Sequence, residues 1–126
     1  MTDPELELLL DRLGRSGFLL HAFRTDRHGP QHLAAVLAYG RIADVVLFDG
    51  NTATAHRTPT GAGDDLFAPR HVYWIYGNNP IWTLRAVLTL PPPHHPGAPT
   101  QLIGTPPGYG IPATDRSSVR VRRRSR

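Results

Sequence analysis

The sequence predicts a small α+β domain of two layers. An N-terminal helix packs on a mainly antiparallel sheet of four to five strands, and a Pro- and Arg-rich tail follows, extended or disordered. Three observations predict this. Leu6, Leu9, Leu10 and Leu13 recur at the spacing of one helix face. Between residues 18 and 90, short apolar stretches alternate with turns built from Gly, Asn, Asp and Pro. Apolar residues then thin out: 42 of the first 90 residues are apolar, against 8 of the last 36, which also hold eight prolines. A compact domain over 1–90 and a flexible tail over 91–126 follow, with no room for a second core.

The helix spans about 4–14. Asp3 caps its free amides, and Pro4 fits a first turn where a missing N–H costs nothing. Gly14 and Gly17 end it. Phe18–Arg24 reads as a strand with Phe18, Leu20 and Ala22 on one side. Residues 33–39 are apolar on both faces and fit a strand or a short helix. Ile42–Phe48 is bulky and β-branched, interrupted only by Asp44, and reads as a central strand. Asp49-Gly50-Asn51 is a hairpin turn, and Thr52–Arg57 is the returning strand. Residues 58–70 form a loop. His71–Tyr76 is an aromatic strand, turned by Gly77-Asn78-Asn79-Pro80. Residues 81–90 fit a helix capped by Asn79, but the longer alternation of Trp82, Leu84, Ala86, Leu88 and Leu90 favours a strand with Trp82 facing inward. Pro91-Pro92-Pro93 stops either one.

The chain has no cysteine and no lysine. Disulfides, thiolate metal sites, cysteine nucleophiles, Schiff-base chemistry and the P-loop lysine are therefore excluded. None of the four serines lies in a nucleophile elbow, and there is no dinucleotide fingerprint. Arginine-only basicity with abundant Ala, Gly and Pro suits a GC-rich bacterial gene. Residues 1–115 carry eight arginines and ten acids, while 116–126 carry six arginines and no acid, so the basic pI belongs to the tail. No apolar run has the length of a membrane span, and the acidic start lacks a secretory signal's basic region. A cytoplasmic location without membrane contact is expected.

The run 73–82 holds four of the chain's ten aromatic residues. As a strand it places Trp74 and Tyr76 on one face and Tyr73 on the other. An uncovered face of this kind is a recognition surface, with Asn78 in the adjoining turn. Arg120, Arg122, Arg123 and Arg124 in the tail suit phosphate contacts, although nothing aromatic follows Tyr109 to stack on bases. The leading expectation is a non-enzymatic binding or regulatory module. Its partner is a protein or a second copy of itself as a homodimer, and its tail adds affinity for nucleic acid. The rival is a small cofactor-free enzyme, with His71 as base and Asp64 or Asp49 as its carboxylate near the 58–71 loop. Neither metal nor cofactor is expected. His28 and His32 are four apart, but Gly29-Pro30 breaks the helix that would align them.

Overall fold

The computed structural model describes residues 3–26, 29–61, 63–113 and 119–123. Helix α1 (Pro4–Arg15) is capped as expected: the Asp3 carboxylate accepts from the Glu5 and Leu6 amides at 2.9 and 3.4 Å. Strands β1 (Leu19–Asp26), β2 (Gly29–Ala38), β3 (Ile42–Asp49) and β4 (Thr52–Pro59) form an antiparallel meander. The ambiguous stretch is thus strand as far as Ala38, and the Asp-Gly turn joins β3 to β4 with Gly50 at φ 59°.

After the loop come β5 (His71–Val72), β6 (Trp74–Asn78), α2 (Pro80–Thr89), β7 (Ile103–Gly104) and β8 (Val119–Arg123). The main sheet has the order β6-β4-β3-β2-β1-β8, so five strands come from the first 80 residues and a sixth from the arginine-rich end. A small second sheet pairs β5 with β7.

Residues 81–90 are helical, which corrects the strand reading. The Asn79 carboxamide accepts from the Trp82 amide at 2.9 Å, and Pro80 fills the first turn. That start outweighs the alternation, because apolar residues at 81, 84, 87 and 88 also trace one helix face. Leu84 and Val87 are buried, as is Thr83, whose hydroxyl donates to the Ala53 carbonyl at 3.0 Å.

Both helices lie on one face of the sheet. There Leu9, Leu13, Phe18, Ala35, Val46, Ala55, Leu84 and Val87 form a core. Ala53 and Ala55 of β4 leave room for α2 to pack close. The other face carries Phe23, Ala34, Val36, Ala43, Val45 and Leu47, covered by Leu66, Phe67 and Ile111. The expected packing boundary at residue 90 is therefore moved. Residues 91–113 alternate turns, at 93–98 and 107–108, with short extended stretches, and they run back over the body. The Ile111 amide donates to the Phe67 carbonyl at 2.7 Å and the Thr105 amide to the Arg70 carbonyl at 3.0 Å. Eight apolar residues in 36 suffice because Ile111 and Tyr109 fall where the sheet needs cover. Residues 114–118 and 124–126, the remainder of the expected tail, lie outside the described residues.

Two central positions fix the helix side. Asp44 and Arg57 stand opposite each other in the β3–β4 register and form a fully buried pair. Arg57 Nε and Nη2 donate to the two carboxylate oxygens at 2.6 and 2.9 Å, and Nη1 donates to the Pro91 carbonyl at 2.7 Å. Asp44→Ala is expected to cost about 3–5 kcal/mol in chemical denaturation, because it leaves a charged guanidinium buried without its carboxylate. The apolar double variant Asp44→Leu/Arg57→Met is expected to recover most of that loss.

Candidate functional site

The sequence-derived candidates separate onto opposite faces of the sheet. On the loop side, Gly63, Asp64, Asp65, Ala68, Arg70 and His71 line a polar pocket of about 490 Å³. Asp64 and His71 therefore share a cavity. Asp49 does not join them. It lies at the β3–β4 turn opposite Thr52, whereas the His71 carbonyl accepts from Thr58 at 3.0 Å. The six residues of strand between Thr52 and Thr58 span roughly 20 Å. The Asp65 carboxylate caps the loop by accepting from the Phe67 amide at 3.0 Å. The His71 ring is exposed at the pocket rim.

On the helix side, Trp74 and Tyr76 do share a face. Their rings stack 6.2 Å apart and 7° from parallel. That face is half-covered, because α2 lies over it and Trp74 packs against the helix-side core. Tyr73 falls at the break between β5 and β6 and donates its amide to the Arg57 carbonyl at 2.7 Å. Asn78 is exposed, and its side-chain oxygen accepts from the Asn79 amide at 2.7 Å.

The asymmetry expected of the two tryptophans is reversed. Trp82 is 52% exposed on the first turn of α2, and Trp74 is the more enclosed. The reason is the period. On a strand, position 82 shares a face with 84, whereas on a helix those positions point about 200° apart. Trp82 is not loose. The Arg85 guanidinium lies 4.9 Å from its ring centre and also pairs with Glu5 of α1. Leu8, one turn further along α1, is 64% exposed. Trp82, Arg85, Glu5 and Leu8 thus make an outer ridge across both helices. Beneath α1, an apolar cavity of about 220 Å³ is lined by residues including Leu6, Leu10, Phe18, Leu33 and Phe48.

Sequence reasoning missed the ridge, and it weighed His56 only as a metal ligand able to meet His71 across the sheet, not as a buried residue. The His56 ring is fully buried on the loop side, with Nδ1 2.8 Å from the Tyr109 hydroxyl and Nε2 2.7 Å from the Leu66 carbonyl. Burial drives its pKa down to about 4 and pushes Tyr109 up to about 12. The available signal was a bulky polar pair, His56-Arg57, in a strand otherwise made of Thr and Ala. Burial likewise lowers the His21 pKa, and its ring meets Phe67 edge-on at 5.4 Å.

Arg120 and Arg122 of β8 stand opposite Ala22 and Leu20, and Arg123 opposite Leu19. Arg124 lies outside the described residues. No helix among the described residues is long and apolar enough to cross a membrane. The chain matches no known protein family, no curated protein and no solved structure.

Gly110 allows the close approach of residues 105–111 to the loop. It has φ +97°, and a Cβ there would collide with the Phe67 carbonyl and lie 2.7 Å from Ala68 Cα. Gly110→Ala is expected to lower stability by roughly 1–3 kcal/mol in thermal denaturation.

Proposed function

We propose that this chain is a non-enzymatic, cytoplasmic binding module that recognises a protein partner with the outer ridge of its two helices. The half-exposed Trp82 carries this reading. A tryptophan with half its surface in water forgoes burial, and its stack on Arg85 limits the side-chain entropy lost on binding. Tryptophan and arginine are the residue types that dominate binding hot spots. The aromatic strand Trp74–Asn78 then serves as the support beneath α2. The arginines of 116–126 add charge-based affinity for nucleic acid.

Trp82→Ala is expected to change stability by less than about 1 kcal/mol, while Trp74→Ala costs roughly 2–4 kcal/mol. Chemical denaturation of both variants measures this. The binding test captures partners from host extract with wild type, with Trp82→Ala and with Arg15→Ala as a surface control. A protein retained by wild type and Arg15→Ala but lost by Trp82→Ala supports the ridge, and equal retention by all three removes it. A wild-type dimer in sedimentation that Trp82→Ala converts to monomer would make the partner a second copy.

For nucleic acid, the six arginines limit the log–log salt slope on duplex DNA to about −5. Changing Arg122, Arg123 and Arg124 to Ala is expected to roughly halve it. Affinity indifferent to salt would remove nucleic acid from the reading.

The shared pocket of Asp64 and His71 favours a second reading, a small acid–base enzyme without a cofactor. A panel of activated esters tests it. Turnover lost in both His71→Ala and Asp64→Asn supports this reading, and background rates in wild type remove it.

A further inference from the structure

His56 joins three parts of the molecule. Its own strand, β4, lies inside the main sheet. Leu66 belongs to the loop after β4, and Tyr109 to the segment that returns after β7. A carbonyl oxygen only accepts, so Nε2 carries the hydrogen and donates to Leu66. Nδ1 is then the acceptor for the Tyr109 hydroxyl. The Thr54 side chain favours the ionised form of Tyr109, but burial outweighs it. Both ring nitrogens are satisfied, and the imidazole is neutral.

The groups around the ring give a cation little compensation. The loop contributes the Leu66 carbonyl and, next, the Asp65 carboxylate, which both favour protonation but do not overcome burial. The returning segment contributes the Tyr109 phenol, and β4 contributes the Thr54 hydroxyl. The cross-strand neighbours in the ladder, Val45 and Ile75, carry no charge. A proton arriving from solvent takes the Nδ1 lone pair and makes both nitrogens donors. Nδ1 then loses the lone pair that accepted from the Tyr109 hydroxyl, and a positive charge is enclosed beside apolar strands.

The loop and the returning segment also hold each other. The Ile111 amide donates to Phe67, the Thr105 amide to Arg70, and the Thr105 hydroxyl to the Pro69 carbonyl at 2.7 Å. Together they cover one face of the sheet, with the Phe67 ring 4.8 Å from Phe23 and edge-on to it. The opposite face is fastened separately by Arg57, which donates to both Asp44 carboxylate oxygens and to the Pro91 carbonyl.

We propose that His56 is a proton-operated latch. While neutral, it ties the 63–72 loop and the 103–111 segment to the sheet. When protonated, it lets them come away together and uncovers the apolar face of β1–β3, while the helix side stays closed. This device stands apart from the binding ridge, which lies on the other face.

The sign follows from linkage. The closed form holds His56 near 4 and the open form returns it toward 6.5, so the open form binds more protons. Closure is complete above pH 6.5 and weakens as the pH falls toward 4. The opening equilibrium is expected to rise roughly hundredfold between pH 7 and pH 4.

Amide hydrogen exchange on the full chain, corrected for the intrinsic pH dependence of exchange, reads this directly. The Thr105 and Ile111 amides are expected to lose protection in acid while those of Val45 and Val46 keep it. Anilinonaphthalene sulfonate should bind over the same range without loss of the far-ultraviolet helix signal. His56→Gln, which keeps a donor and an acceptor without a titrating group, should flatten the pH dependence. Tyr109→Phe removes the donor that favours the neutral ring and should move the opening to higher pH. Simultaneous loss of protection at all four amides overturns the latch, as does an unchanged acid response in His56→Gln. If that variant does not fold, an unshifted profile in Tyr109→Phe overturns it equally.

Discussion

The Arg57 guanidinium lies inside the protein and has no contact with water. Every other feature of the helix side has to accommodate that fact. Its two donors toward Asp44 require β3 and β4 to pair in the one register that sets these residues opposite each other. Its third donor requires a carbonyl at Pro91, which fixes where the chain leaves α2. The Tyr39 ring sits 5.6 Å from the guanidinium carbon and closes the remaining side. The same surroundings act on Tyr39, whose pKa is raised, chiefly by burial and next by the Asp44 carboxylate. A buried ion pair of this kind adds little net stability compared with apolar packing, but it penalises every arrangement that separates the pair. Its contribution is to specify one structure.

The neighbouring residue does the same for the opposite face. Successive residues of a strand point to opposite sides, so His56 fastens the loop layer where Arg57 fastens the helix layer. One dipeptide in the middle of β4 therefore connects the sheet to everything that covers it. Thr58 continues the pattern by donating to His71, and Thr83 of α2 returns a bond to Ala53. A strand of small residues, Thr-Ala-Thr-Ala, permits this. Larger side chains at 53 and 55 would hold α2 away from the sheet.

The fold class was legible because its signals are local. Asp3, Pro4 and four leucines specify α1 without help from the rest of the chain, and the hairpin at Gly50 needs only its own turn. Positions 81–90 were not, because Trp82, Leu84, Ala86, Leu88 and Leu90 satisfy period two while Ile81, Leu84, Val87 and Leu88 satisfy the helical period. The Asn79 cap decides between them, and it lies outside the periodic stretch. The packing of 91–113 was hidden for another reason. Cover for a sheet face needs a few well-placed residues, here Tyr109 and Ile111, and not a high apolar content. Of the candidate site, the meeting of Asp64 with His71 was legible from the loop that joins them. The exclusion of Asp49 depended on which end of a hairpin each residue occupies. The outer ridge joins Glu5 to Arg85 across eighty positions, a pairing that only tertiary structure reveals.

The adjacency of His56 and Arg57 also bears on how the chain finds its fold. A slip of one residue in the β3–β4 pairing would exchange the faces of both side chains. The guanidinium would then enter the apolar side among Val45 and Leu47, and the imidazole would meet a carboxylate built for a two-pronged partner. Each error forfeits a hydrogen-bond set that no neighbouring group replaces. The two side chains therefore act as a key that checks strand alignment during folding. This hairpin is local, with a two-residue turn, and its correct pairing is distinguished early from its near misses. The later-arriving segments dock on a strand whose register is already settled.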